Sequence, residues 1–132
     1  MKYLIDTNIC IYIINSRPIK VLNKFKNIQP GDIGISAITV SELEYGIAKS
    51  KNKNKNRELL NFFLLPFELL DYNEKDAQTY GHIRYDLEKK GKPIGPLDTL
   101  IASQALTRNL IIVTNNVKEF KRIDNLVIEN WA

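Results

Sequence analysis

The sequence predicts a single α/β domain spanning residues 1–132, with a central, mostly parallel β-sheet flanked by helices. Short β-branched runs alternate along the chain with longer segments of helical periodicity, which is the pattern of parallel α/β proteins. A chain of 132 residues fits one domain with a core of its own, and neither an internal repeat nor an interdomain linker is present.

Five apolar runs are predicted strands: Lys2–Ile5, Ile33–Ile35, Phe67–Leu70, Leu110–Val113 and Leu126–Ile128. Six longer segments between them are predicted helices: Ile9–Asn15, Ile19–Asn27, Val40–Ser50, Asn56–Leu65, Glu74–Lys90 and Pro96–Arg108. Punctuating residues support these limits. Pro18 suits the first turn of the second helix, Pro66 stops the fourth, and Gly91 follows the fifth.

The composition excludes several classes of protein. Hydrophobic residues make up 44% and charged residues 26%, as in globular proteins and unlike disordered or low-complexity chains. The single cysteine, Cys10, excludes an intrachain disulfide and a multi-cysteine zinc site, and the single histidine, His82, excludes a paired-histidine nuclease mechanism. The net charge of +4 favours a polyanionic partner.

No segment offers the roughly 18 uncharged apolar residues that a membrane-spanning helix needs. Asp6 and Asn8 interrupt the apolar N-terminal run, which argues against a signal peptide. We therefore expect a cytoplasmic protein without a membrane partner. Neither glycine-rich phosphate-binding motif is present, so nucleotide binding by those routes is also excluded.

Four acidic residues occupy similar positions in this layout, at the end of a strand or near the start of the helix that follows: Asp6, Glu42, Asp98 and Glu119. In a parallel sheet, the carboxyl ends of the strands and the following helix N-termini share one edge, where ligands bind. We therefore expect the four carboxylates to converge at that edge.

Three of them also have a structural explanation. Glu42 and Thr39 match a Thr-x-x-Glu capping box. Asp98 lies in a predicted first helical turn, where the helix dipole favours an acid, and Glu119 stands among lysines as a solvated surface acid would. Each of these readings stays open for a single residue.

Asp6 is harder to explain in this way. It directly follows Tyr-Leu-Ile, where burial is expected, and a buried carboxylate needs hydrogen-bond donors or a cation. Thr7 or Asn8 remains an alternative cap for the next helix. A group of carboxylates supplies oxygen ligands alone, which suits Mg²⁺ or Mn²⁺. Because these ions also bind waters and substrate phosphates, the predicted reaction is phosphodiester hydrolysis.

At this point the chain resembles the PIN-domain ribonucleases, specifically the VapC-type toxins of type II toxin–antitoxin modules. The resemblance covers essentially the whole chain, and the matching stretches occur in family order: Tyr3–Asn8 (YLIDTN), Ser36–Gly46 (SAITVSELEYG), Pro93–Ala102 (PIGPLDTLIA) and Ile112–Phe120 (IVTNNVKEF). It implies that Asp6 and Asp98 hold the divalent ion most directly, and that Glu42 completes the acidic pocket.

The fourth acid of the family is the point of departure. Relatives often carry an aspartate where this chain has Asn116, and Glu119 is the nearest substitute. Thr114 and Asn115 match positions that orient the acids or the ion in relatives. Asn116 thus leaves open whether the site is active.

The resemblance implies a Mg²⁺-dependent endoribonuclease, with Mn²⁺ as the other candidate ion, that inhibits translation until an antitoxin neutralises it. It further implies an RNA substrate, with initiator tRNA cut in its anticodon stem-loop as the closest analogy. The implied partners are a cognate VapB-type antitoxin and a second copy of the chain, with operator DNA reached only through the antitoxin. Two alternatives remain, a metal-dependent DNA nuclease and a catalytically silent module that binds RNA or a protein partner.

Two further features stand outside these motifs. A basic tract, Lys49–Arg57, lies between two predicted helices and is either a solvated loop or an RNA contact. A second basic group, Lys89, Lys90 and Lys92, lies just before the Asp98 motif and is either a further RNA contact or a favourable helix C-terminus. The apolar run Leu59–Leu65 is either core or an interface with the antitoxin or a second copy.

Overall fold

A five-stranded, fully parallel β-sheet runs through the centre of the computed structural model, which describes residues 1–132. The strands are β1 (Tyr3–Ile5), β2 (Ile33–Ser36), β3 (Glu68–Leu70), β4 (Ile111–Val113) and β5 (Ile128–Glu129). Their order across the sheet is β3-β2-β1-β4-β5. The predicted fold class is confirmed, and each predicted strand overlaps an observed one, although the fifth does so only at Ile128.

Seven helices cover the sheet: α1 (Thr7–Ile14), α2 (Ile19–Lys26), α3 (Ala37–Ala48), α4 (Lys53–Leu64), α5 (Glu74–Lys89), α6 (Pro96–Thr107) and α7 (Val117–Phe120). Six of them were predicted. The four-residue α7 was not, because so short an element leaves no periodic pattern. No helix is both long and apolar enough to span a bilayer.

Helix α3 begins three residues before its predicted start, and this corrects the capping-box prediction. Ser36, the last residue of β2, is the N-cap, and its Oγ accepts a hydrogen bond from the backbone N–H of Ile38 at 3.0 Å. Thr39 therefore lies inside the helix, and Glu42 lies in the second turn, too far along to satisfy free N–H groups. The structural explanation offered for Glu42 is thus wrong.

Two other predicted starts also move. Helix α1 begins at Thr7 with Asp6 as its N-cap, so neither Thr7 nor Asn8 caps it. Helix α4 begins at Lys53, inside the basic tract, because lysine and arginine are good helix formers and continue the helix outward from its apolar end.

The two faces of the sheet form two hydrophobic clusters, as the two-residue repeat of strands requires. In β1, Tyr3 and Ile5 pack into the cluster under α1 to α4, whereas Leu4 points to the cluster under α5 and α6. In β4, Ile112 and Val113 divide in the same way. The strands are therefore buried on both faces, and only their ends are available for chemistry.

The strand order reverses at β1, which lies between β2 and β4. The segments that follow β1 and β4 run to opposite faces of the sheet, and this opens a crevice between the carboxyl ends of these two strands. Asp6 follows β1 and Thr114 follows β4 at this crevice. The fold thus places one predicted site residue in the centre of the sheet edge.

Candidate carboxylate site

Asp6 is a nearly fully buried carboxylate at the end of β1, with 5% of its surface exposed. Its Oδ1 accepts a hydrogen bond from the backbone N–H of Ile9 at 3.0 Å. Burial raises the pKa of Asp6 to about 6, and the charges of Asp98 and Glu42 act in the same direction. Hydrogen bonds from Thr114 and Ile9 lower this pKa but do not offset the burial.

Glu42 is held at the same edge by α1. The Thr7 hydroxyl, in the first turn of α1, donates a hydrogen bond to Oε1 of Glu42 at 2.7 Å and lies 3.3 Å from the hydroxyl of Thr39. Glu42 is half-buried, and its charge raises the pKa of both Asp6 and Asp98. The helix that follows β1 therefore positions an acid carried by the helix that follows β2.

Asp98 and Glu119 meet through the amide of Asn116. Nδ2 of Asn116 donates to Oε2 of Glu119 at 2.8 Å and lies 3.5 Å from Oδ2 of Asp98. Burial raises the pKa of Asp98, the charges of Glu119 and Glu42 add to this, and the Asn116 hydrogen bond opposes it. Asn116 thus joins Glu119, the predicted substitute acid, to Asp98.

Thr114 and Asn115, which follow β4, have different surroundings. Thr114 is fully buried; its hydroxyl accepts a hydrogen bond from the backbone N–H of Asn116 at 2.9 Å and lowers the pKa of Asp6. Asn115 is exposed, and its side-chain amide donates to the hydroxyl of Tyr12 at 2.9 Å. Thr114 therefore influences an acid of the site, whereas Asn115 contacts α1.

No ion pair compensates the four acids, although the chain carries 19 lysines and arginines. All five ion pairs of the structure lie elsewhere. Each carboxylate instead contacts hydroxyl or amide groups, and no three acidic, histidine or cysteine side chains lie close enough together to enclose one metal ion. The acids share one sheet edge and their charges raise one another's pKa values at Asp6 and Asp98, but their predicted convergence stops short of a closed cluster.

This donor set fits a hard divalent cation. The ligands are oxygen atoms alone, two of the acids have raised pKa values, and bound positive charge would relieve the repulsion that helps to raise them. Cys10 in α1 is not a suitable ligand for such an ion. It is fully buried, and burial raises the pKa of its thiol, which would have to lose its proton to bind a metal.

A buried polar link between α6 and the sheet was missed by sequence reasoning. The Ser36 hydroxyl hydrogen-bonds to Oε1 of Gln104, and Nε2 of Gln104 donates to the backbone carbonyls of Leu70 and Asp71 at 3.2 and 3.1 Å. Gln104 thus ties α6, which carries Asp98, to the ends of β2 and β3. Its signal was weak, since a glutamine within an apolar helical run suggests only a half-exposed position.

Comparison with known proteins gives the same assignment as the motifs. The family model for the PIN domain matches residues 3–126. The chain belongs to the PIN-domain family. Ribonuclease VapC2 of Rickettsia felis is 47% identical to it over 99% of this chain and 98% of that protein. The predicted resemblance to the VapC branch of the PIN-domain family is confirmed.

Two further relatives extend this result. The tRNA(fMet)-specific endonuclease VapC of Shigella flexneri is 41% identical over 100% of this chain and 99% of that protein. The crystal structure of DNA-bound VapBC from Salmonella typhimurium contains a chain that superposes with a TM-score of 0.93 at 40% identity, covering 100% of this chain and 99% of that one. These PIN-domain relatives are nucleases, so this chain is assigned to the same hydrolytic enzyme class.

Proposed function

We propose that this chain is a divalent-metal-dependent endoribonuclease and the toxin of a VapBC-type toxin–antitoxin module. The observation that carries the proposal is the group of four acids without ion-pair partners at the carboxyl edge of a PIN-domain sheet. In a chain with a net charge of +4, acids that avoid every available cation are best explained by a bound ion.

In this proposal Asp6 and Asp98 hold Mg²⁺, or Mn²⁺ in its place. Glu42 completes the acidic pocket, and Glu119 takes the place of the fourth family acid through its hydrogen bond with Asn116. When bound, such a cation stabilises the negative charge that develops on the phosphate and eases deprotonation of an attacking water. Thr114 and Asn115 act as supporting residues, Thr114 through Asp6 and Asn115 through Tyr12.

Glu42 and Glu119 supply the remaining proton chemistry. Each is half-buried and oriented by one hydrogen bond, so that each presents its second carboxylate oxygen for accepting or returning a proton. Attack by water breaks the bond from phosphorus to the 3′ oxygen and leaves a 5′-phosphate and a 3′-hydroxyl. The RNA 2′-hydroxyl takes no part as a nucleophile, since the site has no histidine pair to activate it.

We propose initiator tRNA, cut in its anticodon stem-loop, as the substrate. The support is the name of the Shigella flexneri relative, a tRNA(fMet)-specific endonuclease 41% identical over the whole chain. Cleavage there removes the tRNA that starts protein synthesis, so that translation stops.

The proposed partners are a VapB-type antitoxin and a second copy of the chain. VapBC complexes from Rickettsia felis and Salmonella typhimurium, both bound to DNA, contain chains that match this one over its full length. Contact with operator DNA is proposed to run through the antitoxin alone. The whole module is proposed to act in the cytoplasm.

Cleavage of purified tRNA by the antitoxin-free chain tests this function. We expect a discrete cut in initiator tRNA with Mg²⁺, no cut with EDTA, and at least a hundredfold slower cut with Asp6→Asn. The matched control is Asp71→Asn, an exposed aspartate outside the site, which should cleave at the wild-type rate. A cut that survives both EDTA and Asp6→Asn would refute the proposal. Preferential cutting of DNA would show that the chain is a DNA nuclease and not a ribonuclease.

A further inference from the structure

Five cations line one cleft of about 550 Å³ that contains no apolar side chain, and we call it the basic cleft. Two segments far apart in the sequence form it, one directly after α5 and the other in and after α7. Its lining residues are Lys90, Lys92, Lys118, Lys121 and Arg122. A solvated charge run comes from neighbouring residues, whereas this cleft is assembled by the tertiary fold.

Most of these cations have no acidic partner. Lys90 alone is ion-paired, with Asp86 at 2.9 Å and Asp124 at 3.2 Å. The exposed side chains of Lys92, Lys118 and Lys121 make no ion pair. Because like charges that share a cleft repel one another, a bound polyanion would lower the electrostatic energy of this region.

The two segments that form the basic cleft also lead along the chain to residues of the carboxylate site. Lys118 directly precedes Glu119 in α7. The guanidinium of Arg122 donates to the backbone carbonyl of Pro93 at 3.0 Å, and Pro93 lies two residues before Gly95, the N-cap of the helix that carries Asp98. One hydrogen bond therefore joins the segment after α7 to the segment that leads to Asp98.

The basic tract Lys49–Arg57, which stands out more in the sequence, is used differently. Arg57 makes two hydrogen bonds to the carboxylate of Glu44, at 2.6 and 2.5 Å. Lys49 lies over the ring of Tyr45 at 4.9 Å, and the ammonium of Lys53 donates to a backbone carbonyl. Arg57, Lys49 and Lys53 thus have intramolecular partners around the connection between α3 and α4. The tract therefore has fewer cations available to a ligand than its composition suggests.

We propose that the basic cleft binds the phosphate backbone of the RNA next to the bond that is cut. This inference rests on the proposed function, because an acidic site repels the strand that it must cleave and needs cations beside it to hold that strand. Flexible lysines contact phosphates as point charges and do not read bases. The cleft therefore supplies affinity and register, and leaves base recognition to other surfaces.

Salt dependence of RNA binding tests the proposal without relying on cleavage. The parent is the full chain with Asp6→Asn at a fixed Mg²⁺ concentration, and the probe is a fluorescein-labelled RNA stem-loop followed by fluorescence anisotropy. Removing two cleft cations with Lys118→Gln and Lys121→Gln should reduce the slope of log affinity against log salt by about 1.4, at about 0.7 for each lost phosphate contact. The matched control, Lys51→Gln with Lys55→Gln, removes two exposed lysines of the basic tract and should keep the parent slope.

Equal slopes for the two double variants, or no measurable binding by the parent, would overturn the inference. So would weaker binding of the purified antitoxin with an unchanged RNA slope, which would assign the cleft to the protein partner. The proposed function is judged separately, by metal-dependent cleavage with the wild-type chain. If that cleavage is absent while the cleft variants still reduce the slope, the proposed function fails and the cleft stands.

Discussion

Asp6→Asn should change how the stability of the metal-free protein depends on pH. Burial holds the pKa of Asp6 at about 6, against an ordinary value of 3.8 that applies to the unfolded chain. The folded protein therefore retains a proton that the unfolded chain releases. The stabilising effect of this proton is complete below about pH 4 and is lost as the pH rises through about 6.

The magnitude follows from the same two values. The full difference corresponds to about 3 kcal/mol of unfolding free energy, since one pKa unit is worth about 1.4 kcal/mol. Between about pH 5 and about pH 7.5 the wild type should lose roughly 1–2 kcal/mol from this group, because at pH 5 the unfolded carboxylate is already mostly ionised. Asparagine cannot titrate, and its side-chain oxygen still accepts the N–H of Ile9, so the helix cap survives.

Urea unfolding in EDTA at both pH values, followed by circular dichroism, measures this effect. Subtracting the Asp6→Asn curve from the wild-type curve cancels the groups that titrate in both proteins. Asp71→Asn serves as the control and should follow the wild type at both pH values. A wild-type minus Asp6→Asn difference that is the same at both pH values, or that grows with pH, would refute the account of a buried and uncompensated carboxylate.

Three further outcomes are expected. Mg²⁺ at about ten times its dissociation constant should stabilise the wild type at neutral pH by about 1.4 kcal/mol in thermal unfolding, and Asp98→Asn should remove most of this gain. Arg108→Ala should cost about 3 kcal/mol or more in urea unfolding because it leaves the fully buried Asp76 unpaired, whereas Arg57→Ala breaks only an exposed pair and should cost much less. Asn116→Asp should lower the unfolding free energy of the metal-free protein by about 1 kcal/mol, since a third acid replaces the amide that contacts Asp98 and Glu119. The same variant should show a larger Mg²⁺ stabilisation in the thermal assay. Each expectation has an outcome that contradicts it. For Mg²⁺ binding, it is an equal response of the wild type and Asp98→Asn, and for the two arginines it is an equal loss of unfolding free energy. For Asn116→Asp, it is a smaller Mg²⁺ response than that of the wild type.

The fold was predictable because its elements have strong local signals. The buried strands are short β-branched runs, and the helices are long enough to show periodicity. Element starts were less predictable, since a start depends on one side chain: Ser36 caps α3 from the end of a strand, and Asp6 caps α1 while lying in the site. Asp6 is thus a helix cap and, in the proposed function, a metal ligand, and local pattern alone cannot separate these roles.

The contacts of the site were less predictable because they cross the chain. The pair of Thr7 and Glu42 spans 35 residues, and the pair of Asn116 and Asp98 spans 18. Local patterns identified the residue types at these positions, but not which hydroxyl or amide would hold which acid. The basic cleft is a stronger case, because its two segments become one surface only when α7 packs beside the end of α5.

The partners of the acids explain why Asn116 is compatible with an active site. A lysine at that position would neutralise Asp98 and Glu119 and stabilise the metal-free protein, but it would also take the charge that a cation needs. An amide donates hydrogen bonds without adding charge, so Asn116 contacts both Glu119 and Asp98 and neutralises neither. Burial raises the pKa of Asp98, the charges of Glu119 and Glu42 add to this, and a divalent ion bound here would relieve that repulsion. In the proposed function, Glu119 thus takes the place of the fourth family acid three residues beyond Asn116, and the site keeps its negative charge.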